Sequence, residues 1–307
     1  MARVMCIGHA VQDFVFTLPA LPEGGRKFRA ENFESVGGGP AATAAVAIAR
    51  LGGTPSLAAR VGDDVLSDAI IGELQAYGVD CSLVTRSPKR ASSLSAVMVD
   101  LKGERMIVNY RDGAIPADAS HLPRDLDGKA EAVLADTRWP EGAAAGFAAA
   151  RAAEIPAVLD ADDPVPDDER MLGGATHLAF SADGLRGLTG EMDLARALGV
   201  VRARWGSWAC ATDGASGVLI CDDKGVSALG AFEVETVDTL GAGDIWHGAF
   251  ALALAEGVKE REAARFASAA AAVKVSRAGG RYSEHTAGYI ADILRNRQAL
   301  AAAAKDQ

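Results

Sequence analysis

The sequence has little of what marks several large classes of protein. Its four cysteines include no Cys-x-x-Cys pair, so neither a disulfide framework nor a zinc ribbon is predicted. Aromatic residues are only 6% of the chain and the net charge is −10, which argues against a surface that binds nucleic acid or anionic membranes. The strand-like run 1–8 is too short for a membrane span and has no signal-peptide pattern. We therefore expect a cytoplasmic protein with reduced, buried cysteines and no nucleic-acid or membrane partner.

What the sequence does contain is the alternation typical of an α/β enzyme. Hydrophobic residues make up 49% of the chain, and from about residue 115 onward predicted strands alternate with predicted helices. This alternation predicts a mostly parallel sheet with ligands bound at the carboxyl ends of its strands. Residues 14–36 lack a helical period, and residues 92–111 have the pattern of a hairpin around Lys102-Gly103. We expect these two segments to form a small β lid on a single domain that spans residues 1–307.

The most informative stretch is VDTLGAGDIWHGAF, residues 237–250. An extended run at 232–237 is predicted to lead into a turn at Gly241, Ala242 and Gly243, and an apolar helix follows from about Asp244. Backbone amides at such a helix start bind anions. A carboxylate beside a bound anion is costly, unless Asp244 is a general base for a hydroxyl that attacks a phosphoryl group. The alternative is an Asp that only caps the helix, a role worth about 1 kcal/mol.

A second glycine-rich turn, Gly37-Gly38-Gly39-Pro40, opens an apolar helix that ends at Gly52-Gly53. Pro40 suits the first helical position, and the glycines allow a ligand to approach the backbone closely. Taken as Gly37-x-Gly39-x-x-Ala42 with Asp63 downstream, the segment also matches the turn of a dinucleotide-binding fold. That pattern is short and does not lie in the first strand–helix unit, so a dehydrogenase is a minor alternative.

Two segments, GGGPAATAAVAIARLGG and VDTLGAGDIWHGAF, resemble the two signatures of the ribokinase-like (phosphofructokinase-B) carbohydrate kinases. They occur in the order that the family has, and the resemblance covers nearly the whole chain. It implies a three-layer α/β/α sandwich with a mostly parallel central sheet and a small β-sheet lid. It also implies transfer of the γ-phosphoryl group of ATP to a sugar hydroxyl, with Mg²⁺ accompanying the nucleotide.

The resemblance assigns roles to individual residues. It implies that Asp244 is the catalytic base. An anion hole would be formed by the backbone amides of Gly241, Ala242 and Gly243. Sugar hydroxyls would be held by Asp13, Gly38 and Gly39. The nucleotide would be bordered by Thr212, Asp213, Gly214, Gly217 and Gly279. Asp238 and the backbone around 276–280 are similar to a monovalent-cation site of many members, which would bind K⁺.

The sequence departs from the family pattern at two places in this site. Ala42 stands where many members have an Asn that contacts the sugar, so that contact is absent. Ser181-Ala182-Asp183-Gly184 stands where members commonly carry Asn-x-x-Glu near Mg²⁺ and the phosphates. Waters or another carboxylate, such as Asp160, would then have to hold the metal.

Within the family, the chain is most similar to 6-deoxy-6-sulfofructose kinases, through segments such as KGERMIVNY, ADTRW, FSADGLRGLTG and RAGGR. In that subfamily a lid Lys, an Asn at the end of the hairpin and an Arg after a central strand bind the sulfonate. The matching residues are Lys27, Asn109 and Arg138. Two cations and an amide donor can satisfy a tetrahedral monoanion. A phosphate or a carboxylate could use the same cations, Lys27 could be a solvated lid charge, and Arg138 could pair with Asp136 or Glu141.

Other functions stay open from the sequence. The chain could phosphorylate another substrate, such as fructose, ribose, 2-keto-3-deoxygluconate or a nucleoside. A sugar- or nucleotide-binding protein without catalysis would have lost the base, whereas Asp244 is present. The lid strands carry Val97, Val99 and Ile107, or their alternates, on one uncovered face. Because related kinases often pair their lids, we expect a homodimer through the lid.

Overall fold

The computed structural model describes residues 1–101 and 103–277, and within that part a nine-stranded sheet forms the middle layer. In spatial order its strands are β13 (Gly225–Leu229), β12 (Val218–Asp222), β11 (Trp208–Thr212), β10 (His177–Ser181), β9 (Ala157–Ala161), β8 (Ala132–Asp136), β1 (Arg3–Gly8), β4 (Thr54–Gly62) and β5 (Thr85–Ser87). From β11 to β5 neighbouring strands are parallel, and only the edge formed by β12 and β13 is antiparallel within the described residues. The predicted mostly parallel sheet is therefore confirmed.

Helices cover both faces of this sheet. One face packs against α1 (Pro40–Arg50), α2 (Val65–Ala76), α7 (Ala242–Ala255) and α8 (Glu260–Val275). The other packs against α3 (Pro140–Ala152), α4 (Glu169–Leu172), α5 (Ala182–Thr189) and α6 (Leu194–Trp205). Along β1, Val4 and Cys6 point into the first core while Met5 and Ile7 point into the second, as the two-residue period of a strand requires. The predicted α/β/α sandwich is confirmed.

The predicted lid is a separate sheet of four strands within the described residues. In spatial order these are β3 (Asn32–Gly38), β2 (Val11–Leu18), β6 (Leu94–Asp100) and β7 (Arg105–Tyr110). The hairpin around residues 102–103 is β6 with β7, paired antiparallel, and β2 joins it in parallel. The connections between β1 and β2 and between β3 and α1 are short, so this lid sheet begins directly at the carboxyl end of a central strand.

The register of the lid strands decides which side chains face the rest of the protein. Asp13, Ser95 and Asn109 stand opposite one another in one row, and Val97 with Ile107 form the next row on the same face. Arg105 shares this face and reaches Asp238 of the main body. The face with Val97 and Ile107 is therefore the inner one. The outer face carries the larger apolar side chains Phe14, Phe16, Phe33, Met98, Met106 and Val108.

The segment before α7 and the start of α7 differ from the sequence-based predictions. The predicted extended run at 232–237 is wrong, because this segment has no regular secondary structure. Its end is tied instead to a helix, since the amides of Val237 and Asp238 donate to the carbonyl of Val275 (2.8 and 3.1 Å). The helix predicted from about Asp244 begins at Ala242. The sequence also predicts a helix at 286–304, and that segment lies outside the described residues.

All four cysteines are buried and unpaired with one another, as predicted. Among the helices of the described residues, none has the length and apolar character that crossing a bilayer requires.

Candidate active site

The turn before α7 presents backbone amides at the start of a helix. Gly241 caps the helix in the left-handed region (φ 73°, ψ 8°), which favours glycine. The amide of Ala242 donates to the carbonyl of Thr239 (3.2 Å), so this predicted anion-hole donor is already used within the turn. Gly243 and Asp244 occupy the next two positions, where amides have no acceptor inside the helix. A Cβ on Gly243 would meet no atom within 4 Å, so open space lies beside its backbone.

Asp244 lies in the first turn of α7 and is half-buried. Its charge acts on Asp160, at the end of β9. Burial first, and then the negative charges of Asp244, Asp162 and Asp136, raise the pKa of Asp160 well above its usual range. Asp244 therefore stands close to the carboxyl ends of β8 and β9, which is where parallel sheets bind ligands. This is the position that a base acting on a substrate beneath the lid requires.

Asp160 is a buried carboxylate, 3% exposed, that the protein leaves incompletely satisfied. Nδ1 of His247 lies 3.3 Å from its Oδ1, but the two ring nitrogens lie at hydrogen-bonding distance from the carbonyls of Gly243 (2.8 Å) and Ala179 (3.2 Å). Burial lowers the pKa of His247 to about 4, and the hydrogen bonds to the carbonyls of Ala179 and Gly243 oppose this. Oδ1 of Asp160 accepts no hydrogen bond within the described part of the chain. Such an oxygen is costly by itself and suits a hard cation.

The segment that replaces the family's Asn-x-x-Glu has a different task. Ser181 caps α5 by accepting a hydrogen bond on its Oγ from the amide of Gly184 (3.0 Å). The side chain of Asp183 is 84% exposed and pairs with Arg186 on the same helix (3.2 Å). Asp183 therefore forms a surface ion pair within its own helix, whereas Asp160 is the buried carboxylate near Asp244.

Asp136, at the end of β8, joins three segments of the site, and the sequence predicted it only as a partner for Arg138. Its Oδ2 accepts hydrogen bonds from the amides of His9 (2.7 Å) and Ala41 (3.1 Å), and its Oδ1 accepts one from the amide of Arg138 (2.8 Å). It thereby fixes the end of β1 against the start of α1. Burial raises the pKa of Asp136, and these three bonds oppose the rise. The signal in the sequence was an Asp at the carboxyl end of an apolar strand.

The residues predicted to hold sugar hydroxyls lie together. Asp13 is half-buried on the inner face of the lid, and a Cβ on Gly38 would overlap its carboxylate, so Gly38 is needed for Asp13 to sit there. Gly39 has φ 99°, and a side chain there would overlap the carbonyl of His9. In the row that contains Asp13, Ser95 lies between Asp13 and Asn109. Nδ2 of Asn109 donates to Ser95 Oγ (3.1 Å) and to the carbonyl of Leu94 (3.1 Å).

The predicted sulfonate ligands are only partly brought together. Arg138 is half-buried and donates to the carbonyls of Asp163 (2.8 Å) and Pro164 (3.4 Å), not to Asp136 or Glu141 through its side chain. Lys27 is exposed in the loop between β2 and β3, and no contact within the described residues joins it to Asn109 or Arg138.

A second cation, which the sequence did not predict, lies beside Arg138. Arg111 donates to the carbonyl of Arg138 (2.9 Å). Partial burial, and then the positive charge of Arg138, lower the pKa of Arg111. Arg60 lies close to both Arg111 and Asp136. Burial first lowers the pKa of Arg60 and the charge of Arg111 adds to this, while the charges of Glu141 and Asp136 oppose it. The only sequence signal for Arg111 is its place just after the predicted hairpin.

The predicted nucleotide-binding residues form a tight turn after β11. The amide of Asp213 donates to the carbonyl of Gly217 (2.8 Å), and the amide of Gly217 returns to Gly214 (3.1 Å). Gly217 has φ 93° and no room for a Cβ against the carbonyl of Leu229. Thr212 ends β11, and its hydroxyl donates to the carbonyl of Phe180 on β10 (3.3 Å). Gly279 lies outside the described residues.

Asp238, the predicted ligand of a monovalent cation, is paired with two basic side chains. Nη2 of Arg105 lies 3.1 Å from its Oδ1, and Nζ of Lys274 lies 2.7 Å from its Oδ2. Burial opposes the charge on Asp238, but the hydrogen bonds from Lys274 and Leu240 and the two cations outweigh it, and the net pKa is lowered. No cluster of three or more His, Cys, Asp or Glu side chains in the described residues is arranged to hold a metal ion by itself.

Comparison with known proteins identifies the family of this chain. The profile of the pfkB family carbohydrate kinases matches residues 1–287. This chain belongs to the pfkB family of carbohydrate kinases. The ribokinase-like fold and carbohydrate kinase activity that the two motifs predicted are thereby confirmed, and the dehydrogenase alternative is wrong. The glycine-rich turn at 37–39 follows a lid strand rather than a central strand, which is why it does not form a dinucleotide-binding unit.

The relatives of this pfkB kinase are described mainly as ribokinases. It is 30% identical to the ribokinase of Bacillus subtilis (strain 168) over 96% of its own length and 100% of the relative. It is 29% identical to an ATP-dependent ribose-1-phosphate kinase of Halopiger xanaduensis, over 97% and 99% of the two chains. A candidate ribokinase from Agrobacterium tumefaciens superposes with a TM-score of 0.88 at 36% identity, covering 96% and 99%. None of these relatives is a sulfofructose kinase by description.

Proposed function

We propose that this kinase transfers the γ-phosphoryl group of ATP to a hydroxyl of a sugar that carries an anionic group, with O1 of 6-deoxy-6-sulfofructose as the first candidate. The observation that carries the proposal is the pair Arg111 and Arg138 at the carboxyl ends of the strands. Within the described residues neither guanidinium forms an ion pair with a carboxylate. Arg111 directly follows the lid strand β7, and Arg138 lies two residues after the central strand β8, so the pair lies where the lid meets the sheet.

The grouping of three arginines at this place favours an anionic ligand. The carboxylates whose charges act on Arg60, Arg111 and Arg138 include Asp136, Glu141 and Asp160, but Asp136 also accepts hydrogen bonds from three backbone amides. Bringing cations close together costs free energy, and a bound sulfonate would reduce that cost. Guanidinium groups bind tetrahedral oxyanions with two parallel hydrogen bonds, and such bonds discriminate strongly against a neutral hydroxyl.

The remaining residues fit the chemistry of phosphoryl transfer. Asp13 and the backbone at Gly38 and Gly39 hold the hydroxyls of the sugar beneath the lid, and the side-chain amide of Asn109 serves the anionic group. Asp244 accepts the proton of the attacking hydroxyl, and the amide of Gly243 holds charge that develops on the transferred group. The turn from Thr212 to Gly217 borders the nucleotide. Kinases of this family use ATP with Mg²⁺, and the unsatisfied oxygen of Asp160 is the protein group that fits a metal which keeps waters and phosphates as its other ligands. Mg²⁺ would neutralise phosphate charge there.

A neutral sugar is the alternative, with ribose first. The named relatives favour this alternative over the sulfosugar, since ribokinase is the activity in their descriptions. The ribose-1-phosphate kinase among them acts, by its name, on a sugar that already bears an anionic group. In the neutral case Arg111 and Arg138 would serve the loop at 162–168 and not the substrate.

A substrate panel separates the two. Purified enzyme would be assayed with ATP and Mg²⁺ on 6-deoxy-6-sulfofructose, fructose, ribose, ribose 1-phosphate, fructose 6-phosphate and 2-keto-3-deoxygluconate. The proposal expects kcat/KM for the sulfosugar to exceed that for fructose by about 100-fold or more, the scale of a charge-assisted recognition. A preference for ribose, or equal turnover of sulfofructose and fructose, would show that the anionic-sugar proposal is wrong.

The arginines provide a second test on the same panel. Arg138→Ala and Arg111→Ala should each raise KM for the anionic sugar far more than KM for fructose. Arg196, exposed on α6, offers a matched control as Arg196→Ala. Equal effects of Arg138→Ala on charged and uncharged sugars would assign Arg138 to loop structure alone.

We also propose that two copies pair through the outer face of the lid. Phe33, Met106 and Val108 are 52%, 39% and 59% exposed there, although they are large apolar side chains on neighbouring strands. A second lid of the same shape would cover them, and a face of this kind is a hazard when uncovered. Light scattering should give the mass of a dimer, and Val108→Glu should give a monomer. A monomeric parent protein would contradict this proposal. We propose a cytoplasmic location as well, since sugar kinases of this family act where ATP is supplied.

A further inference from the structure

Lys274 is a lysine that the protein buries almost completely. It lies in the last turn of α8 and is 3% exposed. Its ammonium donates to Oδ2 of Asp238 (2.7 Å) and to the backbone carbonyl of the same residue (3.2 Å). Burial lowers the pKa of Lys274, while the partnership with Asp238 opposes that effect. A lysine is rarely placed in such a position unless its charge is paired.

Each oxygen of Asp238 already accepts a hydrogen bond among the contacts of the described residues. Oδ2 and the carbonyl oxygen accept from Lys274. Oδ1 accepts from the amide of Leu240 (2.9 Å) and from Nη2 of Arg105 (3.1 Å). Two positive side chains therefore surround one carboxylate. A potassium ion at this carboxylate would meet a local excess of positive charge and would have to displace the ammonium.

The place of this ammonium in the fold is the place where a structural cation would act. The amides of Val237 and Asp238 donate to the carbonyl of Val275, so the loop before α7 is fixed on the end of α8. The carboxyl end of a helix favours positive charge. Asp238 also holds the amide of Leu240, which immediately precedes the cap of α7 at Gly241. Lys274 thus acts on the turn that carries Gly243 and Asp244, through Asp238.

We infer that the ammonium of Lys274 is a built-in cation that replaces a bound monovalent metal at Asp238, so that this kinase works without K⁺. The earlier expectation of a K⁺ site at Asp238 does not fit the residues present. Lys274 is a positioning residue, since it orders the anion-binding turn and does not touch the reacting atoms. The inference rests on the proposed kinase function for its kinetic readout, but its structural readouts are independent of any substrate.

The first experiment uses the unmodified enzyme. Initial rates would be measured in KCl, NaCl and choline chloride at equal ionic strength, with the Mg²⁺ salt of ATP and the best sugar of the panel. The inference expects kcat and KM to agree within about twofold among the three salts, because no metal site has to be filled. Activation of kcat by K⁺ of about tenfold or more over choline would overturn it.

Two further measurements do not depend on turnover. The melting temperature would be recorded in KCl and in choline chloride, and crystals would be soaked in a thallium(I) salt, whose ion resembles K⁺ and scatters strongly. We expect equal melting temperatures and no thallium at Asp238. A thallium peak at Asp238, or stabilisation specific to K⁺, would contradict the built-in cation even if no sugar in the panel were phosphorylated. If neither a thallium peak nor K⁺-specific stabilisation is observed and no sugar is phosphorylated, the inference stands and the proposed function is wrong.

A variant then tests the role directly. Lys274→Met keeps an unbranched side chain, shorter by one atom, and removes its charge, and we expect kcat to fall with partial recovery at high KCl but not at high choline chloride. The matched control is Lys259→Met, on the exposed N-cap of α8. Loss of activity without any salt-specific recovery would mean that Lys274 is only a packing residue. If Lys274→Met does not fold, the measurements on the unmodified enzyme decide the matter.

Discussion

Arg105, the first residue of the lid strand β7, forms an ion pair with Asp238 in the loop that leads to the turn before α7, with Nη2 and Oδ1 3.1 Å apart. The same guanidinium donates to the hydroxyl of Thr239 (3.1 Å). The tip of the lid is thereby attached to the segment that positions Gly243 and Asp244. The arrangement couples the position of the lid to the shape of the anion-binding turn.

This contact predicts that Arg105→Gln weakens catalysis, although Arg105 lies far from Gly243 and Asp244 in the sequence. With the lid detached, the sugar is held less well and water enters the cleft, so we expect KM for the sugar to rise by about tenfold with a smaller fall in kcat. Steady-state kinetics of Arg105→Gln beside Arg196→Gln would measure it. Unchanged kinetics for both variants would show that the lid closes without this ion pair.

The proposed role of Asp244 as general base predicts a loss of turnover that spares binding. Asp244→Asn keeps the size of the side chain and cannot accept the proton, so we expect kcat to fall by about 10²- to 10⁴-fold. The dissociation constant of the sugar, measured by calorimetry, should change little. Asp183→Asn on the exposed face of α5 is the matched control, and it should retain normal turnover. Substantial activity in Asp244→Asn would assign the carboxylate to helix capping instead.

Gly243 allows the anion-binding turn to be tested without damage to the fold. A Cβ at this position meets no protein atom within 4 Å, and alanine favours a helix by about 0.5–1 kcal/mol. Gly243→Ala should therefore leave the melting temperature equal or higher. It should lower kcat by about 10- to 100-fold, because the added methyl group displaces the phosphoryl group from the amides.

The matched control for Gly243→Ala is Gly199→Ala, in the middle of α6, where the added Cβ also meets open space. That variant should change neither turnover nor folding. Full activity of Gly243→Ala would mean that the transferred group does not approach this backbone.

Acid should destabilise the protein through its buried histidines. Burial lowers the pKa of His177 to about 4 from its usual 6.5, and Glu260 opposes this only partly. As the pH falls below 6.5 the unfolded chain takes up a proton that the folded protein does not, so stability is complete above 6.5 and decreases toward 4. His177 alone accounts for about 2 kcal/mol between pH 7 and 5. Denaturant unfolding at both pH values would measure this.

His177→Gln removes the titrating group and should reduce the dependence of unfolding free energy on pH by that amount. The exposed His121, changed to Gln, should leave the dependence as it is. The same loss of stability in His177→Gln as in the unmodified protein would place the acid sensitivity elsewhere, with His247 the next residue to test.

Much of the fold was predictable because it depends on local patterns. The apolar runs and the two-residue and 3.6-residue periods mark the strands and helices around which the two cores form. The lid was recognisable from its alternating hairpin and from the absence of a helical period at 14–36. The run at 232–237 misled this reasoning, since an extended chain needs a strand beside it to become part of a sheet. The end of α8 lies there instead.

The candidate site was likewise predictable only in part from the sequence. The sequence by itself determined the kinase family, through one motif with Gly241, Gly243 and Asp244 and a second motif with the glycines at 37–39. Only the tertiary structure decided the partners, because those contacts join residues far apart in the chain. It placed Arg111 beside Arg138, joined Asp136 to the start of α1, and put Lys274 and Arg105 on Asp238. A motif records which groups react, whereas the charges around them depend on how strands and helices pack.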